Sequence, residues 1–202
     1  MLQTQTVSSE LLELLKKLMK EDFFKNFILV GGTSLALQLG HRNSIDIDMF
    51  GDQRISQELF IKKLKDFGKV EVTQNSSNVF ISSINDIKVD FVNYNYPLLR
   101  DFIEIEGIRL ASKEDIAAMK LNAILGRGSR KDFIDLFFLL QEFSMQQMLN
   151  FYNQKYSDGS EFLVLKSLTY FSDADSQPNP KMFKDFDWET CKQKILEEVS
   201  KL

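Results

Sequence analysis

The chain has 202 residues, is 44% hydrophobic and 27% charged, and carries a net charge of −4. That length buries a real core without staples, and the composition excludes a disordered chain. A single cysteine excludes an internal disulfide and argues against a zinc cluster, and the acidic balance excludes a broadly basic nucleic-acid surface, so any basic site is local.

In chain order, Ser8-Ser9-Glu10 opens an amphipathic helix, with Leu11, Leu15, Leu18 and Met19 at helical spacing. Phe27-Ile28-Leu29-Val30 reads as a buried strand that stops at Gly31-Gly32. Thr33 to Leu39 is a short helix with Gly40 just past its end. Ser44 to Phe50 alternates polar and apolar residues over its first half, which is strand periodicity and sets Asp46 and Asp48 on one face. Ser56 caps a helix that runs to Phe67. Strands follow at Val70–Thr73, Val79–Ser83 and Ile87–Val92, and Arg109–Ala111 is a last one.

From Ser112 the pattern is helical. Ser112-Lys113-Glu114-Asp115 resembles a capping box with Asp in place of Glu, and Ser129-Arg130-Lys131-Asp132 repeats that start. Further helices are expected over Phe143–Tyr156, over Ser160–Tyr170 and from Trp188 onward, with a loop at Ser172–Pro180. Eighteen Phe against one Trp suits helices packed on a sheet. The expected architecture is α/β (α+β): a mixed sheet flanked by helices over residues 1–111, then a helical domain over 112–202. Met1-Leu2-Gln3-Thr4 does not start a leader and no apolar run is long enough to span a bilayer, so a reducing, cytoplasmic setting is expected.

The chemistry is expected at the carboxylates. Asp90 sits in the apolar run Lys88-Val89-Asp90-Phe91-Val92, where a carboxylate needs a compensating charge. Asp46, Asp48 and Asp90 together make a hard-oxygen ligand set that favours magnesium. Two such ions activate an acceptor hydroxyl and hold a leaving pyrophosphate. An isolated Asp-Ile-Asp is more often the solvated side of an edge strand; the neighbours shift the balance. Gly31-Gly32 lies between a strand and a helix start, where close backbone approach and free amides suit a phosphate, though a plain turn is the commoner cause of such a pair. Thr33 or Ser34 either adds a hydroxyl to the phosphates or caps the helix.

Arg109, Lys113, Lys120, Arg127, Arg130 and Lys131 make a local basic stretch, offset by Glu114, Asp115 and Asp132. Lys120, beside apolar residues, suits a point charge aimed into a cleft, and a solvated helix face is an equal alternative. Asp132 and Asp135 orient basic groups or the acceptor, or Asp132 is a cap. Arg42 reaches the triphosphate or anchors its loop; His41 is expected to be structural and Cys191 to be core.

Gly31-Gly32-Thr33-Ser34-Leu35-Ala36-Leu37 followed by Gly40-His41-Arg42-Asn43-Ser44-Ile45-Asp46-Ile47-Asp48-Met49-Phe50 closely resembles the signature of the AbiEii-like nucleotidyltransferases, in the DNA polymerase beta superfamily. Lys88-Val89-Asp90 resembles that family's third metal aspartate. Ser112 to Lys120 resembles its helix with a nucleotide-contacting lysine, Lys120. Arg127 to Leu136, with Arg130, Lys131 and Asp132, resembles its last motif, and Asp173 to Trp188 resembles the tail of shorter members.

The resemblance implies a polymerase-beta-like sheet with a helical bundle closing the cleft. It also implies magnesium (manganese as an alternative) and a nucleoside triphosphate. Several members are toxins of bacterial toxin–antitoxin systems encoded beside an antitoxin, and some modify transfer RNA. The expected activity is therefore nucleotide transfer to an acceptor such as transfer RNA, with an antitoxin as protein partner and no membrane. The alternatives are transfer to a small molecule or a protein, or a nucleotide-binding module without turnover.

Overall fold

The computed structural model describes residues 1–202. Helix α1 (Ser9–Lys20) begins where the Ser8 side chain accepts from the Leu11 amide, as the sequence predicts for a Ser cap. Strand β1 (Phe27–Leu29) leads directly into α2 (Gly31–Leu39), which ends at Gly40 with φ of 69°. The glycine pair thus forms the first turn of the helix, two residues earlier than the predicted start.

Strand β2 (Ile47–Gly51) is shorter at its front than the Ser44–Phe50 expectation, so Asp46 stands just ahead of it. Helix α3 (Gln57–Leu64) tightens into a 3₁₀ turn at Lys65–Phe67, and Ser56 makes no side-chain cap there. Strands β3 (Val70–Asn75), β4 (Val79–Ile84) and β5 (Ile87–Asn93) follow as predicted. β6 (Ile103–Ile105) was not expected; it pairs with β7 (Ile108–Leu110).

The seven strands lie in the order β3-β4-β5-β2-β1-β7-β6. β2 runs parallel to β5 and β1 parallel to β7; the remaining pairs are antiparallel. Period-two alternation sends Ile47, Met49, Val89 and Phe91, all fully buried, to one face. There they join the leucines of α1 and a phenylalanine cluster of Phe24, Phe27, Phe60 and Phe80. Phe24 and Phe91 stack at 4.8 Å between centroids, and Phe60 meets Phe91 edge-on at 5.3 Å. Each such ring contributes about 1.5–3 kcal/mol of burial. Arg109 on β7 fastens this unit internally: its guanidinium donates to the carbonyls of Phe27, Met19 and Phe24 at 2.9–3.1 Å.

The chain divides into two compact units. One comprises Met1–Asn95 with Phe102–Ala111; the other comprises Tyr96–Asp101 with Ser112–Leu202. The second is helical: α4 (Lys113–Gly126), α5 (Arg130–Leu139), α6 (Met145–Lys155), α7 (Glu161–Leu168), α8 (Ser172–Asp175) and α9 (Trp188–Val199). α8 falls inside the predicted loop. α4 packs against α5, α6 and α7. Cys191 is core, as expected, and burial pushes its thiol up to about 12.

The predicted capping boxes of this unit depart from expectation. Ser112 Oγ accepts from the Asp115 amide and donates to Asp115 Oδ2 at 2.7 Å, and the same carboxylate also accepts from the Leu99 and Arg100 amides and from Lys155 Nζ at 2.7 Å. Lys155 also donates to the Pro97 carbonyl at 2.7 Å, and both charged side chains are wholly buried. No helix is long and apolar enough to cross a membrane.

Candidate active site

Opposite the phenylalanine face, the same alternation presents the acids. Asp48 of β2 and Asp90 of β5 are directly paired across the parallel ladder, and Asp46 lies two residues before Asp48, just ahead of the strand. All three are partly buried. Lys88, two residues before Asp90, donates to Asp90 Oδ2 at 2.6 Å. Burial works against the charge of that ammonium, but Asp90, then Asp48 and Asp46, outweigh it and raise its pKa. Of the three predicted carboxylates, Asp90 is the one in contact with this cation.

The second oxygen of Asp90, Oδ1, is buried and has no hydrogen-bond partner. A buried, unpartnered carboxylate oxygen beside an aligned aspartate fits a hard divalent ion. No group of three or more Asp, Glu, His or Cys side chains is drawn together as a ready ligand set. Like charges repel, and Lys88 supplies the compensation here.

The glycines border this cluster. Gly31 enters α2 with φ of +66°, and a Cβ there would lie 2.6 Å from Asp48 Oδ2. A Cβ on Gly32 would overlap the Arg42 guanidinium. Glycine is favoured at Gly31 by its left-handed backbone, and a side chain at either position would have to displace the Asp48 or Arg42 side-chain end. α2 has no side-chain cap from its N-cap residue, Val30, and its first turn begins at Gly31, beside Asp48. Gly31→Ala strains the left-handed residue and displaces the Asp48 carboxylate. We expect it to lower nucleotide transfer roughly 10²-fold, in a steady-state assay, while the chain still folds.

Thr33 and Ser34 lie inside the packing, and the structure brings neither hydroxyl to an open phosphate seat. Thr33 Oγ1 is bonded to the Asp46 carbonyl and lies 2.8 Å from Ser44 Oγ. A carbonyl only accepts, so Thr33 donates to it and receives from Ser44. This pair anchors the segment that carries Asp46, a role that the sequence does not announce. Ser34 is fully buried and accepts from Gln38 Nε2 at 3.2 Å. Arg42 is buried under Gly32 and donates to the Asn43 carbonyl at 2.8 Å, which matches the loop-anchoring alternative. His41 is fully buried.

The helical unit holds the other predicted residues. Lys120 does not face an open cleft. Its ammonium, 6% exposed, lies 3.0 Å from Asp132 Oδ1 and 2.6 Å from Asp135 Oδ2, both fully buried. Burial of a cation demands such partners. Asp132 also accepts from Arg127 and from Ser129 Oγ, at 2.7–3.0 Å. Desolvation alone would raise the Asp132 pKa, but the Lys120 charge, Arg127 and Ser129 reverse it and hold the carboxyl far below the usual range.

A folded value below the unfolded one means that the unfolded chain takes up the proton first. The stabilisation is complete at neutral pH and is lost as pH falls below about 4. We expect the urea midpoint to fall more steeply between pH 7 and pH 3 in the wild type than in Asp132→Asn. Arg130 is likewise occupied within the unit. It donates to the Ala174 and Asp175 carbonyls at 2.9 Å and to Asn179, and lies 4.5 Å over the Trp188 ring. Lys131 is exposed, and Lys113 pairs with Glu142.

Among known proteins, the family model described as the nucleotidyl transferase AbiEii toxin of type IV toxin–antitoxin systems matches residues 13–201. The chain belongs to the AbiEii nucleotidyltransferase family. This AbiEii chain is 33% identical over 168 residues to an uncharacterized protein of Aquifex aeolicus (strain VF5), covering 80% of this chain and 82% of that one. Its fold is similar to that of a candidate nucleotidyltransferase from H. pylori, with a TM-score of 0.61, 18% identity and coverage of 95% and 90% of the two chains. It is also similar to JHP933 from Helicobacter pylori, with a TM-score of 0.56, 16% identity and coverage of 95% and 88%. The AbiEii chain is thus a nucleotidyltransferase, and its mixed sheet has the polymerase-beta-like arrangement that the motif resemblance implies.

Proposed function

We propose that this AbiEii nucleotidyltransferase transfers a nucleotide from a magnesium-bound nucleoside triphosphate to an RNA acceptor, transfer RNA foremost, and acts as the toxin of a toxin–antitoxin pair. The observation that carries the proposal is the direct register of Asp48 with Asp90 beside Gly31, whose left-handed backbone strains any side chain and whose Cβ would meet the Asp48 carboxylate. Asp46, Asp48 and Asp90 are the residues that hold metal, and manganese suits the same oxygens. When bound, magnesium supplies Lewis-acid polarisation of the phosphate oxygens.

The chain's own groups do the rest. First-turn amides at Gly31 and Gly32 seat the β- and γ-phosphates, and the buried Arg42 guanidinium under Gly32 strengthens the positive potential there. Asp90 takes the proton of the acceptor hydroxyl. The hydroxyl oxygen bonds to the α-phosphorus, the α–β bridging bond breaks, and pyrophosphate leaves. Lys120 and Arg130, satisfied by their own unit's carboxylates and carbonyls, belong to that unit's architecture in this reading. The substrates that the reading requires place the reaction in the cytoplasm.

Incubation with labelled nucleoside triphosphates, magnesium and total RNA tests the proposal. Label enters RNA and the signal vanishes with EDTA. Label that enters no fraction removes the reading. The acidic net charge of −4 favours a second acceptor class, a small molecule or protein; label found there, with RNA unlabelled, selects it.

A further inference from the structure

The proposed chemistry leaves Lys88 without a role. Strand β5 places it on the Asp90 face, and its Nζ lies 2.6 Å from Asp90 Oδ2. Asp48 and Asp46 act on the same ammonium. The other Asp90 oxygen, buried, has no partner at all. One carboxylate oxygen is therefore paired with a half-exposed side chain, and the other has no hydrogen-bond partner.

We infer that Lys88 is a built-in counter-ion that holds Asp90 when metal is absent and must release it when a divalent cation binds, so that Lys88 sets the metal affinity of the site. The inference rests on the metal-dependent reading above. Two cations drawn to the same few oxygens repel each other, so occupancy by one weakens the other. The two sides of the pair differ in freedom. The Lys88 side chain is 49% exposed and the Asp90 side chain 13%. Lys88 can swing its flexible stem into water without disturbing the core, whereas Asp90 is fixed on the central ladder. Lys88 stays charged in both positions; only its partner changes.

The test is manganese binding to the full chain, by calorimetry and by electron paramagnetic resonance, for wild type, Lys88→Met, Lys88→Arg and Asp48→Asn. Melting temperatures are recorded in EDTA and in manganese. Lys88→Met binds manganese about three- to tenfold more tightly. In EDTA it melts lower than wild type, because Asp90 has lost that partner. The two effects have opposite sign, which a merely structural lysine would not produce. Lys88→Arg returns the wild-type affinity. If wild type binds manganese in a way that Asp48→Asn abolishes, yet Lys88→Met binds equally or more weakly, the role of Lys88 is overturned and the metal site stands. If none of the four proteins binds manganese, both fall.

Discussion

Asp48→Asn lowers nucleotide transfer by roughly 10³-fold or more and leaves the fold intact. Asn has nearly the same shape, and the backbone bond from the Val30 amide to the Asp48 carbonyl, 2.9 Å, does not involve the side chain. What disappears is one negative charge at the centre of the acid cluster, opposite Asp90. In the proposed metal-dependent reaction, loss of that charge costs about 4 kcal/mol of barrier, which is three factors of ten. Label transfer under saturating magnesium, beside a melting curve, measures both halves of the expectation. Activity within tenfold of wild type would show that the chemistry lies elsewhere. Induced expression adds a cellular readout: growth arrest by the wild type, and none by the variant, accompanies a toxin role.

The largest effect on stability is expected in the other unit, at Lys155→Met. Lys155 Nζ reaches Asp115 Oδ1 and the Pro97 carbonyl, with both charged side chains fully buried. Methionine fills the same space but leaves the Asp115 carboxylate in the interior without its counter-charge. Breaking a buried pair from one side costs about 3–5 kcal/mol. Whole domains are stable by roughly 5–15 kcal/mol, so the variant stands close to unfolding at ambient temperature. Denaturant melts of Lys155→Met, Asp115→Asn and the double variant check this. The double variant should lose less than the two single losses combined, because the pair is one interaction. A shift under 1 kcal/mol for Lys155→Met would mean that the charge is compensated by other groups.

Much of the sheet-bearing unit was legible in its residues. Ser8 and the leucine spacing defined α1, Gly40 ended α2 in a left-handed conformation, and alternation around Asp48 and Asp90 predicted acids on strand faces. The direct Asp48–Asp90 register is a non-local pairing that no local pattern encodes. β6 escaped because Ile103-Glu104-Ile105 is short and mostly exposed, so it has no buried face to impose a period.

The charged residues of the helices were the hardest to read. Lys120 among apolar residues reads as a charge aimed into a cleft or as a solvated helix face, whereas it is buried against Asp132 and Asp135, which the sequence offers only as orienting basic groups in general. Lys155 follows Asn153-Gln154 and carries no local sign of burial; its partners lie in a segment far upstream. Arg130 fitted a phosphate-binding pattern equally well as a bracket for the carbonyls of residues 174–175, and only the tertiary fold chooses.

The hexapeptide Tyr96–Asp101 interrupts one unit and belongs to the other, so the backbone passes between them three times. It brings the Pro97 carbonyl and the Leu99 and Arg100 amides to the ion pair of α4 and α6. A helical fragment that starts at Ser112 therefore lacks a piece of its own interior. Recombination between relatives that exchanges the helical half at a single crossover inherits a mismatched plug, unless the six-residue insert travels with it.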